Sequence, residues 1–293
     1  MVHSFQERLH GASNRHSTSF SIAQLDPVGE TTPRHYPVQP IHPEGNVYSC
    51  LPSGRYKAIF AYYYQSHLMK GAPYRTIFPT GTAALVFRCS QHKPGAFLVG
   101  TPTIPYEPEY VIRGCDYFLV WFWAGMSYAF YPLSAKEITD RFLSLDELLG
   151  GESERLTECM ALAKTFQERV RIFERFLDGH SCQFHEIPKI LPSIISIICR
   201  EVSQLNDEEL KSCTYYTDRH IRRLFQTYVG VSPHLFRRII RHQSTLKALG
   251  VRPTRGMANL ALEYGHYDQS HLTREFKTFL GLTPTQFISK LNK

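Results

Sequence analysis

Two short sets of hydrogen-bond donors stand 51 residues apart in this 293-residue chain. Arg219, Arg222, Arg223 and Gln226 recur at helical spacing, and so do Ser270, Thr273, Arg274 and Lys277. None of the eight is a carboxylate. A face of this kind can donate to phosphate oxygens, and an arginine fork on it matches the acceptor pair on a guanine edge. A charged helix face turned only to water is the plainer alternative. Two parallel occurrences at equivalent positions favour base and phosphate contact.

The elements that must carry these side chains form an ungapped repeat. Thr217 to Pro233 aligns with Asp268 to Pro284, with identity at His220/His271, Arg223/Arg274, Phe225/Phe276, Thr227/Thr278, Gly230/Gly281 and Pro233/Pro284. Each copy opens on an N-capping residue, Thr217 or Asp268, and stops at a glycine suited to the left-handed position beyond a helix end. A Ser-Pro or Thr-Pro pair then starts another helix, where proline loses no amide partner. Ile221, Phe225 and Tyr228, like Leu272, Phe276 and Phe279, fall on the side opposite the donors. Ahead of the second copy, Met257 to Gly265 reads as a short helix closed by a tight turn, with small Ala261 at the packing position; together they make a helix-turn-helix. The first copy has Asn206 to Tyr216 at this place, with Lys211 and Tyr215 where the small residue and the turn glycine are expected, so its turn is expected to differ. Between the copies, Pro233 to Leu249 carries one apolar stripe without a breaker, a rod of roughly 25 Å at the usual helical rise. Such a rod could hold two helices at about the ~34 Å between successive major-groove faces.

Charge follows the same division. Residues 205–293 hold 14 Lys and Arg against 7 Asp and Glu, whereas the preceding 204 residues hold 19 against 19. The whole excess of +7 therefore sits in the last third, as expected of a polyanion-binding module joined to a neutral body. No apolar run reaches the ~18 residues of a membrane span, and the polar first forty residues hold no signal-peptide stretch, so a soluble cytoplasmic protein without membrane partners is expected.

Four segments are expected: 1–46 as a mobile, proline-punctuated tail, 47–178 as a β-rich sensor or oligomerisation domain with a helical connector, 179–192 as a linker, and 193–293 as the domain of two helix-turn-helix units. Tyr56 to Tyr64, Ala83 to Arg88, Ala96 to Gly100 and Tyr117 to Trp123 are aromatic and β-branched runs between Gly/Pro turns, favouring an antiparallel sandwich or small barrel. Residues 135–178 read as helical, with capping boxes at Ser144-x-x-Glu147 and Thr165-x-x-Glu168, and helical patterning resumes at Ile194. The aromatic cluster from Tyr117 to Tyr131 reads as sheet core or as the lining of a small-molecule pocket.

Gly265-His-Tyr-Asp-Gln-Ser-His-Leu-Thr-Arg-Glu-Phe-Lys277 with Gly281-Leu-Thr-Pro284, and Arg238-Ile-x-Arg241-His-Gln-x-x-Leu-x-x-Leu249, resemble the DNA-binding domain of AraC/XylS transcription regulators over Ile194 to Leu291. The resemblance implies two recognition helices, Thr217 to Tyr228 and Asp268 to Phe279, in successive major grooves. It places Arg219, Arg222 and Arg223 with Gln269, Ser270, His271 and Arg274 at the family's base-reading positions. Phe78 to Phe87 and Leu98-Val-Gly100 resemble, less closely, the family's cupin-like front domain, with Pro79-Thr-Gly81 for its usual Pro-Asp-Gly. That implies an α+β chain whose partners are double-stranded DNA, a small-molecule effector or a second copy of the chain, and RNA polymerase if the outcome is activation.

No chemistry of bond making is expected. His42, His67, His92 and His180 are isolated, so no metal is expected, and neither a phosphate loop nor a cofactor motif is present. The seven cysteines are dispersed and form no Cys-x-x-Cys pair. A DNA-repair type of enzyme with a similar basic domain is the alternative, and it would need a reactive low-pKa cysteine.

Overall fold

The computed structural model describes Pro37 and residues 47–69, 76–179, 184–203, 207–214, 216–251 and 256–291. The expected tail therefore lies outside the described residues apart from Pro37, whose carbonyl accepts the Tyr62 hydroxyl at 2.5 Å.

Among the described residues the front half forms one antiparallel sheet of six strands: β1 (Val47–Cys50), β2 (Phe60–Leu68), β3 (Ala84–Cys89), β4 (Gly95–Val99), β5 (Cys115–Phe122) and β6 (Phe142–Ser144), in the order β1-β2-β5-β3-β4-β6. Its registers set Tyr62 opposite Trp121, Leu85 opposite Val120 and Leu98 opposite Leu143. Both faces are covered, which explains why the central strands are apolar nearly throughout rather than alternating. Phe60, Tyr63, Leu85, Phe87, Phe118 and Phe122 face two helices that bring Met160, Phe166 and Phe173. Tyr62, Val86, Tyr117 and Trp121 face away from them, toward the Tyr110–Val111 loop. The Phe173 ring is the hub, edge-on to Phe60, Tyr63 and Phe87 at 5.7, 5.7 and 5.8 Å. Tyr117, Phe118, Trp121, Phe122, Trp123 and Phe130 are buried in these layers, so that aromatic run is largely core.

Six helices follow in the connector and its continuation: α1 (Ser127–Phe130), α2 (Ala135–Ile138), α3 (Leu145–Leu149), α4 (Gly151–Leu162), α5 (Phe166–Gly179) and α6 (Ile190–Arg200). The uniform helical reading of 135–178 is corrected at Phe142–Ser144, which pairs with β4 as the outer strand β6. Thr165 and Glu168 form the expected capping box, with Glu168 N–H donating to Thr165 Oγ1 and Thr165 N–H to Glu168 Oε2, both at 3.2 Å. Ser144 caps α3 through the amide of Asp146. Helix resumes at Ile190 rather than Ile194, with Pro192 in the first turn of α6 where its missing N–H costs nothing.

The back half comprises α7 (Asp207–Thr214), α8 (Asp218–Tyr228), α9 (Pro233–Val251), α10 (Met257–Glu263), α11 (Gln269–Leu280) and α12 (Pro284–Leu291). The rod α9 has 19 residues, roughly 28 Å of helix. It is no solvated strut. Phe236, Ile239, Ile240, His242, Gln243, Thr245, Leu246 and Leu249 are all buried, since α6, α8, α11, α12 and the front domain surround it.

The front domain reaches both helix-turn-helix units. Phe78 lies in the second unit's core with Leu246, Leu249 and Phe276, and Ala124 lies in the first unit's core with Leu191 and Phe236. Thr101 and Thr139 donate from Oγ1 to the carbonyls of Val229 and Gly230 at 2.7 and 2.8 Å. Gly230 has φ +91°, and a Cβ there would lie 2.5 Å from Thr139 Oγ1 and 2.8 Å from the Ala135 carbonyl. Glycine at this helix end thus serves the left-handed turn and the close approach of the front domain together.

Candidate nucleic-acid interface

Helices α8 and α11 are each positioned from both ends. Thr217 Oγ1 accepts the His220 amide at 3.3 Å and Asp268 Oδ1 the His271 amide at 2.7 Å. At the far ends, Gly230 and Gly281 take positive φ. Ser232 then caps α9 through Leu235 N–H at 3.1 Å, and Thr283 with Gln286 forms a capping box at α12. Ile221, Leu224 and Phe225 bury the inner face of α8; Leu272, Glu275, Phe276 and Phe279 bury that of α11.

The donor stripes lie outward. Arg219, Arg222, Arg223 and Gln226 are exposed on α8, and Gln269, Ser270, Arg274 and Lys277 on α11. Two members carry local partners: Arg222 pairs with Asp218 at 2.9 Å and Arg223 reaches His220 Nδ1 at 3.4 Å. Thr273 is half-buried and returns its hydroxyl to the Gln269 carbonyl at 2.9 Å. His271 is placed apart from the rest. Its ring is half-buried, Nδ1 accepts the Tyr267 amide at 3.2 Å, and Nε2 faces Glu275 at 3.7 Å.

At the 51-residue offset the equivalents of Ala261 and Gly265 are Leu210 and Thr214, which corrects the sequence assignment to Lys211 and Tyr215. Leu210 and Thr214 are buried, and Thr214 Oγ1 donates to the Leu210 carbonyl at 2.8 Å. Tyr215 and the Lys211 side chain lie outside the described residues. The second unit's turn is set differently: Gly265 has φ +72°, and a Cβ there would fall 2.6 Å from the Ser203 backbone. The loop after α6 thus presses on the turn that aims α11.

One arrangement escaped sequence reading. Glu275 occupies the place of Leu224, yet it is 2% exposed. Arg238 of α9 donates from Nε to Glu275 Oε1 at 2.9 Å, and His266 Nδ1 lies 3.4 Å from Oε2. Burial holds His266 down to about 3, with the nearby Arg241 guanidinium and His271 adding to the effect. His242, in an aromatic box 4.8 Å from Phe276 and 5.4 Å from Phe279, is likewise held at about 3 by burial. Both imidazoles are neutral at pH 7, so Glu275 takes its countercharge from arginine. The signal available in the sequence was a carboxylate on the apolar side of an amphipathic helix, with arginines on the long helix to meet it.

His266, His271 and Glu275 also bring one donor atom each within 4.8 Å of one another. Their hydrogen bonding suits a structural network better than a cation. An Nδ1 that accepts a backbone N–H leaves the His271 proton on Nε2, the atom a metal would need bare, and Arg238 already occupies Glu275 Oε1.

Residues 212–290 match the family model described as a helix-turn-helix domain. The carboxy-terminal part of the chain thus carries a helix-turn-helix domain. No curated protein matches the sequence. Among solved structures, unsaturated fatty acid-bound ToxT from Vibrio cholerae is similar at 10% identity, TM-score 0.42, over 84% of this chain and 97% of that one. ToxT bound to (E)-4-(8-methylnaphthalen-1-yl)but-3-enoic acid is similar at 11% identity, TM-score 0.39, over 85% and 98%. In this domain the two helix-turn-helix units are α7–α8 and α10–α11, with α9 between them. No helix among the described residues is long and apolar enough to cross a membrane.

Proposed function

We propose that the chain is a sequence-specific transcription regulator whose α8 and α11 enter successive major grooves of double-stranded DNA. The observation that carries this reading is the repeated outward stripe of donors on two capped helices of a helix-turn-helix domain. Arg219, Arg222, Arg223, Gln226, Gln269, Ser270, Thr273, Arg274 and Lys277 meet the duplex, and His271 sits at the rim, turned toward Glu275. Base edges select the site and phosphate contacts supply salt-dependent affinity.

The front domain, in this proposal, senses a small-molecule effector or pairs with a second copy, and an activator would engage RNA polymerase from the DNA-bound state. Support comes from the loop Phe78–Gly81: Phe78 enters the second unit, and a Cβ at Gly81 would lie 3.0 Å from Phe236 in the first. A displacement of this loop would therefore meet side chains of both units. The repair-enzyme alternative would need a reactive cysteine other than Cys50, Cys89 and Cys115, since burial pushes the first two thiols up to about 12 and raises the third as well. Selection of bound sequences from a randomised duplex pool by the full-length chain tests the reading. Enrichment of two motifs about one helical turn apart is expected, and recovery of an unselected pool refutes sequence-specific binding.

A further inference from the structure

The 51-residue repeat extends one residue further toward the amino terminus than its capped helices. Tyr216 and Tyr267 are equivalent, and each stands immediately before the N-cap of its recognition helix, Thr217 or Asp268. Tyr216 is 40% exposed and Tyr267 86%, the highest value among the exposed large hydrophobic side chains described. A single exposed aromatic is ordinary. The same residue, exposed at the same place in both units, is a property of the unit.

The two environments differ in a way that follows from Leu224 and Glu275. In the first unit Leu224 offers His220 no acceptor, and the imidazole stacks instead on the Tyr216 ring, with centroids 4.9 Å apart and planes 17° apart. In the second unit His271 is drawn inward toward Glu275, its Nδ1 taken by the Tyr267 amide, and the Tyr267 ring is left in water. Neither position is explained by core packing.

We propose that Tyr216 and Tyr267 are a second pair of DNA contacts, their phenol hydroxyls donating to backbone phosphates beside the groove that each recognition helix enters. This rests on the DNA-binding reading above. The placement selects phosphate rather than base, because the outward stripes begin only three residues later, at Arg219 and Ser270. A phenol on the turn before the first helical residue stands at the groove edge, where phosphate oxygens are the exposed acceptors. The contact is uncharged, and that gives it a signature: it adds affinity without releasing a counterion, so the salt dependence stays unchanged.

The full-length chain, with Tyr216→Phe, Tyr267→Phe, the double variant, Arg274→Ala and Lys277→Ala, is titrated against a random-sequence duplex over a range of salt concentrations. Removing only the hydroxyl from an exposed ring leaves thermal unfolding as in the wild type. Each Phe variant is expected to bind roughly 3- to 10-fold more weakly, the double variant by about the product, with the slope of log K against log salt retained. Lys277→Ala should instead flatten that slope by about one charge. Phe variants that bind like the wild type, while a basic-residue variant weakens, overturn the tyrosine contacts alone. Slopes that flatten in the Phe variants overturn the uncharged-donor assignment. A wild-type chain that binds no duplex at low salt overturns both this inference and the reading beneath it.

Discussion

Gln243, in the middle of the long helix, donates from Nε2 to the carbonyl of Pro79 at 2.8 Å, and both residues are buried. The bond spans 164 positions of sequence and joins the sheet domain to the shaft between the two DNA-binding units. Gln243→Leu keeps the volume but strands the Pro79 carbonyl in a dry contact. It is expected to cost about 1–3 kcal/mol in urea unfolding. Full retention of stability would mean that water or backbone adjustment replaces the bond.

Arg238 and Glu275 should respond asymmetrically. Arg238→Met leaves a carboxylate that is 2% exposed without its guanidinium, at an expected cost of about 3 kcal/mol. Glu275→Leu, which copies Leu224 of the first unit, lets the third-exposed Arg238 turn to water and should cost little. The double variant should recover most of the loss. Equal losses in the two single variants would deny that the buried carboxylate is the vulnerable partner.

Acid should loosen the second unit. His242 and His266 have folded-state values held near 3 by burial, below the ordinary 6.5, so the unfolded chain binds their protons more readily. Their contribution is fully present above about 6.5 and is lost as pH falls toward 3. The urea midpoint is expected to fall through this window, and His242→Phe should flatten the decline. His242→Phe should also be neutral or stabilising at pH 7, since neither ring nitrogen has a hydrogen-bond partner among the described residues. An unchanged pH profile in this variant would remove His242 from the account.

Arg274 and Lys277 lie exposed two turns from the cap of α11 and should differ in kind. Arg274→Ala is expected to cost roughly 1–3 kcal/mol at the cognate site and to relax preference at one base pair. Lys277→Ala should weaken all sequences about equally. Arg223→Ala is expected to act as Arg274→Ala does, at a position about one helical turn away. Binding across a randomised library decides this, because the same uniform loss from Arg274→Ala and Lys277→Ala would make Arg274 a phosphate contact.

Much of the carboxy-terminal domain was legible in the sequence because its determinants are local. Thr217, Asp268, Gly230 and Gly281 act within a few residues of themselves, and a 3.6-residue apolar period states which face is buried. The donor stripes follow from that phase alone. The central strands were legible for the same reason, through β-branched and aromatic runs between turns. What remained hidden depends on residues far apart. Phe142–Ser144 is a strand only because β4 offers an open edge, and Glu275 can sit in an apolar layer only because Arg238 reaches it from another helix. The packing of Phe78, Pro79 and Gly81 between the two units leaves no local trace, since a loop beside a shaft has no period to announce it. Local backbone preference and side-chain phase thus specified the helices and the face each presents. Burial of surfaces distant in the chain decided how the front domain, the long helix α9 and the capped helices α8 and α11 are locked into one body.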